Sequence, residues 1–293
     1  MTGKHSSVQR RQTLKAYGFM TPALIIIILF TIIPIIGSLV LMFYDYSVLG
    51  QTKFVGLKNF VKAFHDRVFW ISIKNSVIFV VVVPIIQILS ILLAVLVNKK
   101  LPGIGIFRTL FYIPVVTSMV AVSIMWGFIF DTSGIINTAL KEWKVISMPL
   151  GFLSDKNTAM ICLMFITIWQ GLGYYMMMYL AGLQGIPQEL CEAATIDGAG
   201  PVKTFFHITL PLLRPTILLT TIMSINGTLQ LFDESVNLTG GGPANSTLTM
   251  SHYIFKTSFE YNSQFGYAAA MSYVIFILVA ILSFIQMKVG DKR

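Results

Sequence analysis

Residues Asn75–Asn98 read NSVIFVVVVPIIQILSILLAVLVN, 24 residues without one charged side chain. A helix of that length rises about 36 Å at 1.5 Å per residue, enough to cross the roughly 30 Å hydrocarbon core of a bilayer. A membrane-spanning strand needs apolar and polar residues in alternation, and this run does not alternate. Hydrocarbon satisfies no backbone hydrogen bond, so the run is predicted to be a transmembrane helix.

Five further uncharged runs flank it: Ala16–Tyr44, Thr109–Phe130, Asn157–Gln188, Pro215–Phe232 and Tyr261–Met287. The composition agrees: 55% of residues are hydrophobic and 11% charged, against roughly 25% charged in soluble chains. The expected fold is an all-α membrane protein with six transmembrane helices. The first run is too long for a signal-peptide core and no Ala-x-Ala site follows it. It reads as a retained helix interrupted by Pro34. A seventh uncharged stretch, Ser235–Phe255, contains Gly240-Gly241-Gly242-Pro243 and many Ser, Thr and Asn residues. It is expected to be an extramembrane loop that dips toward the protein.

The net charge of +9 does not point to nucleic acid, because the basic residues sit in connectors and not on an aromatic-interleaved stripe. With the N-terminus inside, the inner segments hold 12 Lys and Arg and the outer segments 9. The leader carries Lys4, Arg10, Arg11 and Lys15 without an acid, which places both termini in the cytoplasm. The chain is thus divided into a tail over 1–18, a transmembrane domain over 19–287 and a tail over 288–293. Cys162, Cys191 and the four histidines (His5, His65, His207, His252) have no metal-ligand spacing. Trp70 and Trp143 read as interfacial residues, and none of the four tryptophans (Trp126 and Trp169 are the others) is assigned to a site.

Two spans carry polar and small residues. Gly171, Gly173, Ala181 and Gly182 permit close helix contacts in the fourth. Ser224, Asn226, Thr228 and Gln230 lie in the fifth, where polar groups face protein or a water-filled path. Between these spans, Gln184–Arg214 reads QGIPQELCEAATIDGAGPVKTFFHITLPLLR. Pro187 suits a helix's first turn, and Glu189 and Glu192 are expected near that positive end. Gly198 and Gly200 suit a stop and a turn, and Pro201 a second short helix. Ala193 and Ala194 are expected to form a low-relief surface open to another protein. The expected local structure is a cytoplasmic helix–turn–helix over about 184–211.

Glu192-Ala193-Ala194, Gly198 after three residues and Ile208-x-Leu210-Pro211 after nine more resemble the EAA motif of binding-protein-dependent ABC importer permeases. Gly56-Leu57-Lys58-Asn59-Phe60, Leu238-Thr239-Gly240-Gly241-Gly242-Pro243 and Phe265-Gly266-Tyr267-Ala268-Ala269-Ala270 resemble its sugar-importing, maltose-type branch. The resemblance implies that Glu189, Glu192, Ala193, Ala194, Asp197 and Gly198 couple to an ATPase. It also implies a solute path lined by Gln170, Gly171 and Tyr174 in the fourth span and by Met223, Asn226, Gly227 and Gln230 in the fifth. The last four share a helix face by i, i+3, i+4 and i+7 spacing. Amides suit sugar hydroxyls, and a tyrosine ring suits sugar C–H faces. Hydrogen bonding between helices would account for Asn226 and Gln230 equally.

The implied partners are a second, homologous permease, two ATPase subunits and an extracytoplasmic solute-binding protein, in a bacterial or archaeal cytoplasmic membrane. The chain has no Gly-x-x-x-x-Gly-Lys-Ser/Thr phosphate loop. No cofactor is expected on it, and ATP and Mg²⁺ are expected in the partners. No basic residue falls at the middle of spans four and five, which favours a neutral oligosaccharide over glycerol phosphate or an acidic oligosaccharide; a polyol is a further alternative. The absence of intramembrane charge and internal repeat disfavours an ion-coupled transporter. The absence of a nucleophile–base constellation disfavours a membrane enzyme. Cysteines placed as His5→Cys and Lys292→Cys are expected to resist impermeant thiol reagents in intact cells. Efficient labelling of either would overturn the topology.

Overall fold

The computed structural model describes residues 7–47, 50, 52–99, 102–261 and 263–291. The chain forms helices α1 (Ser7–Ile27), α2 (Ile33–Leu41), α3 (Lys58–His65), α4 (Arg67–Phe79), α5 (Val82–Val97), α6 (Ile104–Val116) and α7 (Met119–Phe130). There follow α8 (Ile135–Glu142), α9 (Ala159–Gln184), α10 (Gln188–Ile196), α11 (Pro201–Thr204), α12 (Leu210–Leu212), α13 (Arg214–Leu229), α14 (Met250–Phe255) and α15 (Phe265–Asp291). A two-stranded antiparallel ribbon pairs β1 (Tyr44–Asp45) with β2 (Lys53–Phe54). The tails expected over 1–18 and 288–293 are helical from Ser7 and as far as Asp291. Residues 1–6, 292 and 293, with Lys4, His5, Lys292 and Arg293 among them, lie outside the described residues.

Among the described residues, five helical runs are long and apolar enough to cross a bilayer: Gln12–Leu41, Arg67–Val97, Met119–Glu142, Ala159–Gln184 and Phe265–Lys288. A sixth arises when Pro201–Leu212 and Arg214–Leu229, bent by 67°, are taken as one. Contacts divide the chain into two units, Met1–His65 with Thr257–Tyr273 and Asp66–Lys256 with Val274–Arg293.

In the first unit, residues 12–37 are exposed on every side. A helix apolar all round and uncovered by protein has hydrocarbon as its natural solvent. Pro34 does not break it. A π-helical segment, Ile28–Ile32, precedes α2, and the Ile33 N–H reaches back to the Ile28 carbonyl. The wider turn relieves the clash a proline ring makes with the carbonyl four residues back. Asn59 then fixes the chain after α2, donating to the carbonyls of Met42 (3.0 Å) and Tyr44 (2.9 Å). The Phe265 N–H donates to the Tyr46 carbonyl at 3.0 Å, and the Lys62 ammonium lies 4.4 Å from the Tyr267 ring centre. The two motifs around Asn59 and Tyr267 therefore belong to one packed unit.

In the second unit, α9 is the central post. Its 26 residues rise about 39 Å. Met176, Tyr179, Leu180 and Leu183 pack against Ile91, Ala94 and Val97 of α5 and against Leu213. Gly173 lets the backbone of α6 touch α9, since a Cβ there would lie 2.0 Å from the Phe111 carbonyl oxygen. The third uncharged run, expected as one helix over Thr109–Phe130, is two. Thr117 (φ −80°, ψ 137°) and Ser118 (φ −55°, ψ 131°) are extended. Pro114 and the Thr117 hydroxyl, which donates to the Ile113 carbonyl at 2.8 Å, divert the backbone bonds that would carry the helix onward.

Ser235–Phe255 contains only a five-residue π-helical segment and α14, too short to span. Its backbone is held by buried side chains. Asn75 donates to the carbonyls of Asn245 (2.8 Å) and Leu248 (2.9 Å), Ser235 to Thr247 (2.7 Å) and Thr249 to Leu231 (2.7 Å). Burial, with the Lys256 ammonium adding to it, pushes the His252 imidazole down to about 4. The ring is therefore neutral where its Nδ1 meets the Ser235 hydroxyl at 2.7 Å.

Candidate functional site: a polar cavity and an exposed helical elbow

A cavity of about 390 Å³ lies between α5, α6, α9 and the end of α13, within the size range of small-molecule sites. Helix α9 contributes Thr167, Gln170, Gly171 and Tyr174, spaced i, i+3, i+4 and i+7 on one face. Gln170 Nε2 donates to the Thr117 carbonyl at 3.3 Å, so it also serves a backbone group freed by the break before α7. Tyr174 and Tyr175 meet edge to face, 5.2 Å between ring centres. Val82, Ile86 and Val115 supply an apolar side, and Tyr175, Ser224, Gly227, Thr228 and residues 230–234 complete the lining. Among the described residues no lysine, arginine or histidine lines it.

The structure brings Gln170, Gly171, Tyr174, Gly227 and Gln230 to this cavity, and leaves Met223 and Asn226 outside its lining. The inward positions of α13 are 224, 227 and 228, of which only Gly227 belongs to the face expected. The helix ends at Leu229, and Gln230 (φ −98°, ψ 12°) has left the helical path. Its side chain therefore reaches the cavity without sharing the face of Met223. Thr167 was missed although it extends the stripe of Gln170 and Tyr174 by one turn. Ser224 and Thr228 were visible as polar residues in an apolar span. Asp233 and Glu234 stand just beyond the uncharged run Pro215–Phe232, yet both line the cavity. Glu234 Oε1 accepts from the Thr167 hydroxyl at 3.2 Å. Desolvation pushes the Glu234 carboxyl above its ordinary range, with the Asp233 charge adding a smaller push; hydrogen bonds from its own backbone and from Thr167 oppose this.

Behind the wall, α5, α9 and α13 are tied by one polar knot. Gln87 Nε2 donates to the Thr220 carbonyl (3.1 Å) and the Ser224 hydroxyl (2.8 Å). The Tyr179 hydroxyl donates to Gln87 Oε1 and lies 2.7 Å from Thr220 Oγ1. All four side chains are buried. Among the described residues no tryptophan lines the cavity; Trp126 and Trp169 pack edge to face in a separate aromatic cluster with Phe130 and Phe165.

The second feature is the elbow after α9. Pro187 precedes α10, with Glu189 in the first turn, where a carboxylate meets the positive helix end. Glu192 stands a turn further along, beyond the reach expected for it. The Gly198 N–H bonds the Thr195 carbonyl (3.0 Å) and the Ala199 N–H the Ala194 carbonyl (2.8 Å), with Gly198 at φ +78°. This is a Schellman stop, which needs a residue free to turn left-handed. Glu189, Glu192, Ala193, Asp197 and Gly198 are exposed. Ala194 is buried, 7% exposed. It belongs to the inner face of α10 and not to the low-relief surface expected, because adjacent helical positions point about 100° apart. Pro201 then opens a helical run that continues, through a π-helical segment at Phe205–Thr209, to Leu212 and bends by 67° into α13.

Residues 16–293 match the family of binding-protein-dependent transport system inner membrane components. The lactose transport system permease protein LacF of Rhizobium radiobacter is 42% identical, over 100% of this chain and 99% of that protein. The trehalose/maltose transport system permease protein MalF of Thermococcus litoralis is 32% identical over 98% and 97%. One chain of the crystal structure of a bacterial alginate ABC transporter, in complex with an alginate pentasaccharide-bound periplasmic protein, superposes with a TM-score of 0.87. It is 21% identical and covers 99% of this chain and 98% of that one, which establishes the shared fold. Tyr174→Ala and Gln230→Ala are expected to lower solute uptake per assembled complex, each by up to roughly tenfold for one lost hydrogen bond or ring contact. Complex yield and melting temperature should stay near wild type. Uptake that falls only in proportion to surviving complex would make both residues structural.

Proposed function

We propose that this chain, which belongs to the family of binding-protein-dependent transport system inner membrane components, is one permease subunit of an ATP-driven importer whose cavity carries a neutral oligosaccharide. The observation that carries the reading is the chemistry of the cavity. Amides of Gln170 and Gln230 and hydroxyls of Thr167, Ser224 and Thr228 stand beside the rings of Tyr174 and Tyr175, with no basic group among the described residues of the lining. Sugars offer hydroxyls in several directions and apolar C–H faces, and such a mixture answers both. Relatives named for lactose and for trehalose and maltose agree with it.

The remaining parts follow from one chain's insufficiency. A second, homologous permease closes the path, two ATPase subunits bind ATP and Mg²⁺, and an extracytoplasmic binding protein delivers the sugar. The elbow carries the coupling. Glu189, Glu192, Ala193 and Asp197 offer an exposed face to an ATPase, Gly198 sets the turn, and Ala194 anchors α10 from inside. The carboxylates favour a basic partner surface through charge-assisted bonds. Both termini lie in the cytoplasm of a bacterial or archaeal cell, on the side of the elbow.

Reconstituted with those partners, the complex is expected to import sugar only with ATP and binding protein; sugar movement by this chain alone without ATP would refute the reading. Glu192→Lys and Gly198→Asp should keep ATP hydrolysis while uptake falls tenfold or more. The first reverses charge at the coupling face. The second forces a side chain into a left-handed turn, at a cost of order 1 kcal/mol or more. Full coupling in both variants would remove the elbow from the mechanism.

A further inference from the structure

Among the charged groups of the second unit, Glu234 is placed differently from the rest: it is partly buried and lines the cavity. Among the described residues one other side chain bonds it, Thr167, which donates to Oε1 at 3.2 Å; its own backbone N–H is a further donor. Thr167 stands one turn from Gln170 on the cavity face of α9, and Gln230 precedes Glu234 by four residues. Its carboxylate thus belongs to the same polar surface as the two amides. Among the described residues no cation lines the cavity to neutralise it.

We propose that Glu234 is a specificity-determining residue of this cavity, accepting hydrogen bonds from sugar hydroxyls through its carboxylate and turning anionic sugars away by its charge. The inference rests on the reading of the cavity as the solute site and adds the group that selects among solutes. Hydroxyl donors return to a partly desolvated carboxylate the hydrogen bonding that burial removed, and such charge-assisted bonds are stronger than neutral ones. A second carboxylate brought into the same low-dielectric space meets repulsion that water no longer screens. Asp233, exposed at the same rim, adds to the field without the bond to Thr167.

The test uses the assembled transporter with Gln230→Cys, in a background where Cys162 and Cys191 are replaced. A cationic and an anionic methanethiosulfonate of similar size are compared for their rates at position 230. The cationic reagent is expected to react about tenfold faster, relative to the two rates on a free thiol, and Glu234→Gln to reduce that ratio at least threefold. In the transporter with Gln230 intact, Glu234→Ala is expected to lower uptake of the best-transported neutral disaccharide severalfold, with Glu234→Gln closer to wild type. Equal reagent rates, a ratio that Glu234→Gln does not move, or normal uptake by Glu234→Ala overturns the assignment. Failure of the sugar reading itself is distinguishable, because the wild-type complex would then import no neutral sugar at all.

Discussion

Both ends of the Gln87 amide are taken by other helices, and the arrangement of the cavity depends on it. Its NH₂ group is bound to Thr220 and Ser224 of α13, and its oxygen to Tyr179 of α9. In a bilayer no water stands ready to replace these bonds, so a polar side chain at this depth must find its partners in protein. Measured bonds between membrane helices average about 0.6 kcal/mol, because the separated helices also find partners. The value of the knot is therefore geometric more than energetic. It fixes the register of three helices, and with it which face of α13 looks into the cavity. Ser224 belongs to both, accepting from Gln87 behind the wall and lining the cavity in front.

The same helix ends the elbow. The Schellman stop at Gly198 sets the direction of Pro201–Leu212, which bends into α13 at Leu213, buried against Tyr179 and Leu183. On the proposed reading, a push on α10 reaches the cavity through a short path: elbow, buried Leu213, then the helix carrying Thr220, Ser224 and Gly227. Packed interfaces of this kind shift between discrete arrangements more readily than they deform. The helix that receives the movement is thus also a wall of the cavity.

Much of this was legible in the sequence, for reasons that differ by element. Long uncharged runs announce helices because hydrocarbon leaves a chain few other choices, and the spacing around Glu192, Gly198 and Pro211 is long enough to resemble one family's motif. The stripe Gln170, Gly171, Tyr174 was readable because α9 is straight and uninterrupted through it. The face of α13 was not, because its end at Leu229 and the departure of Gln230 depend on packing against α5 and α9. The split of the third run turns on Thr117 and Ser118, whose extended backbone is partly satisfied by Gln170, a residue 53 positions away. Glu234 was passed over for the same reason: its place in the cavity comes from the chain folding back after α13. Pro34 was read as an interruption, where a π-helical segment absorbs it.

The account's central claim is that the space bounded by α5, α6, α9 and the end of α13 holds the solute. It is tested most directly by photolabelling the assembled, sugar-importing complex with a diazirine-bearing analogue of the imported sugar and mapping the modified residues by mass spectrometry. The account predicts adducts within 167–175 and 224–234, competed away by the unlabelled sugar. Competed adducts on this chain confined to other segments, with both of these stretches unmodified, would contradict it.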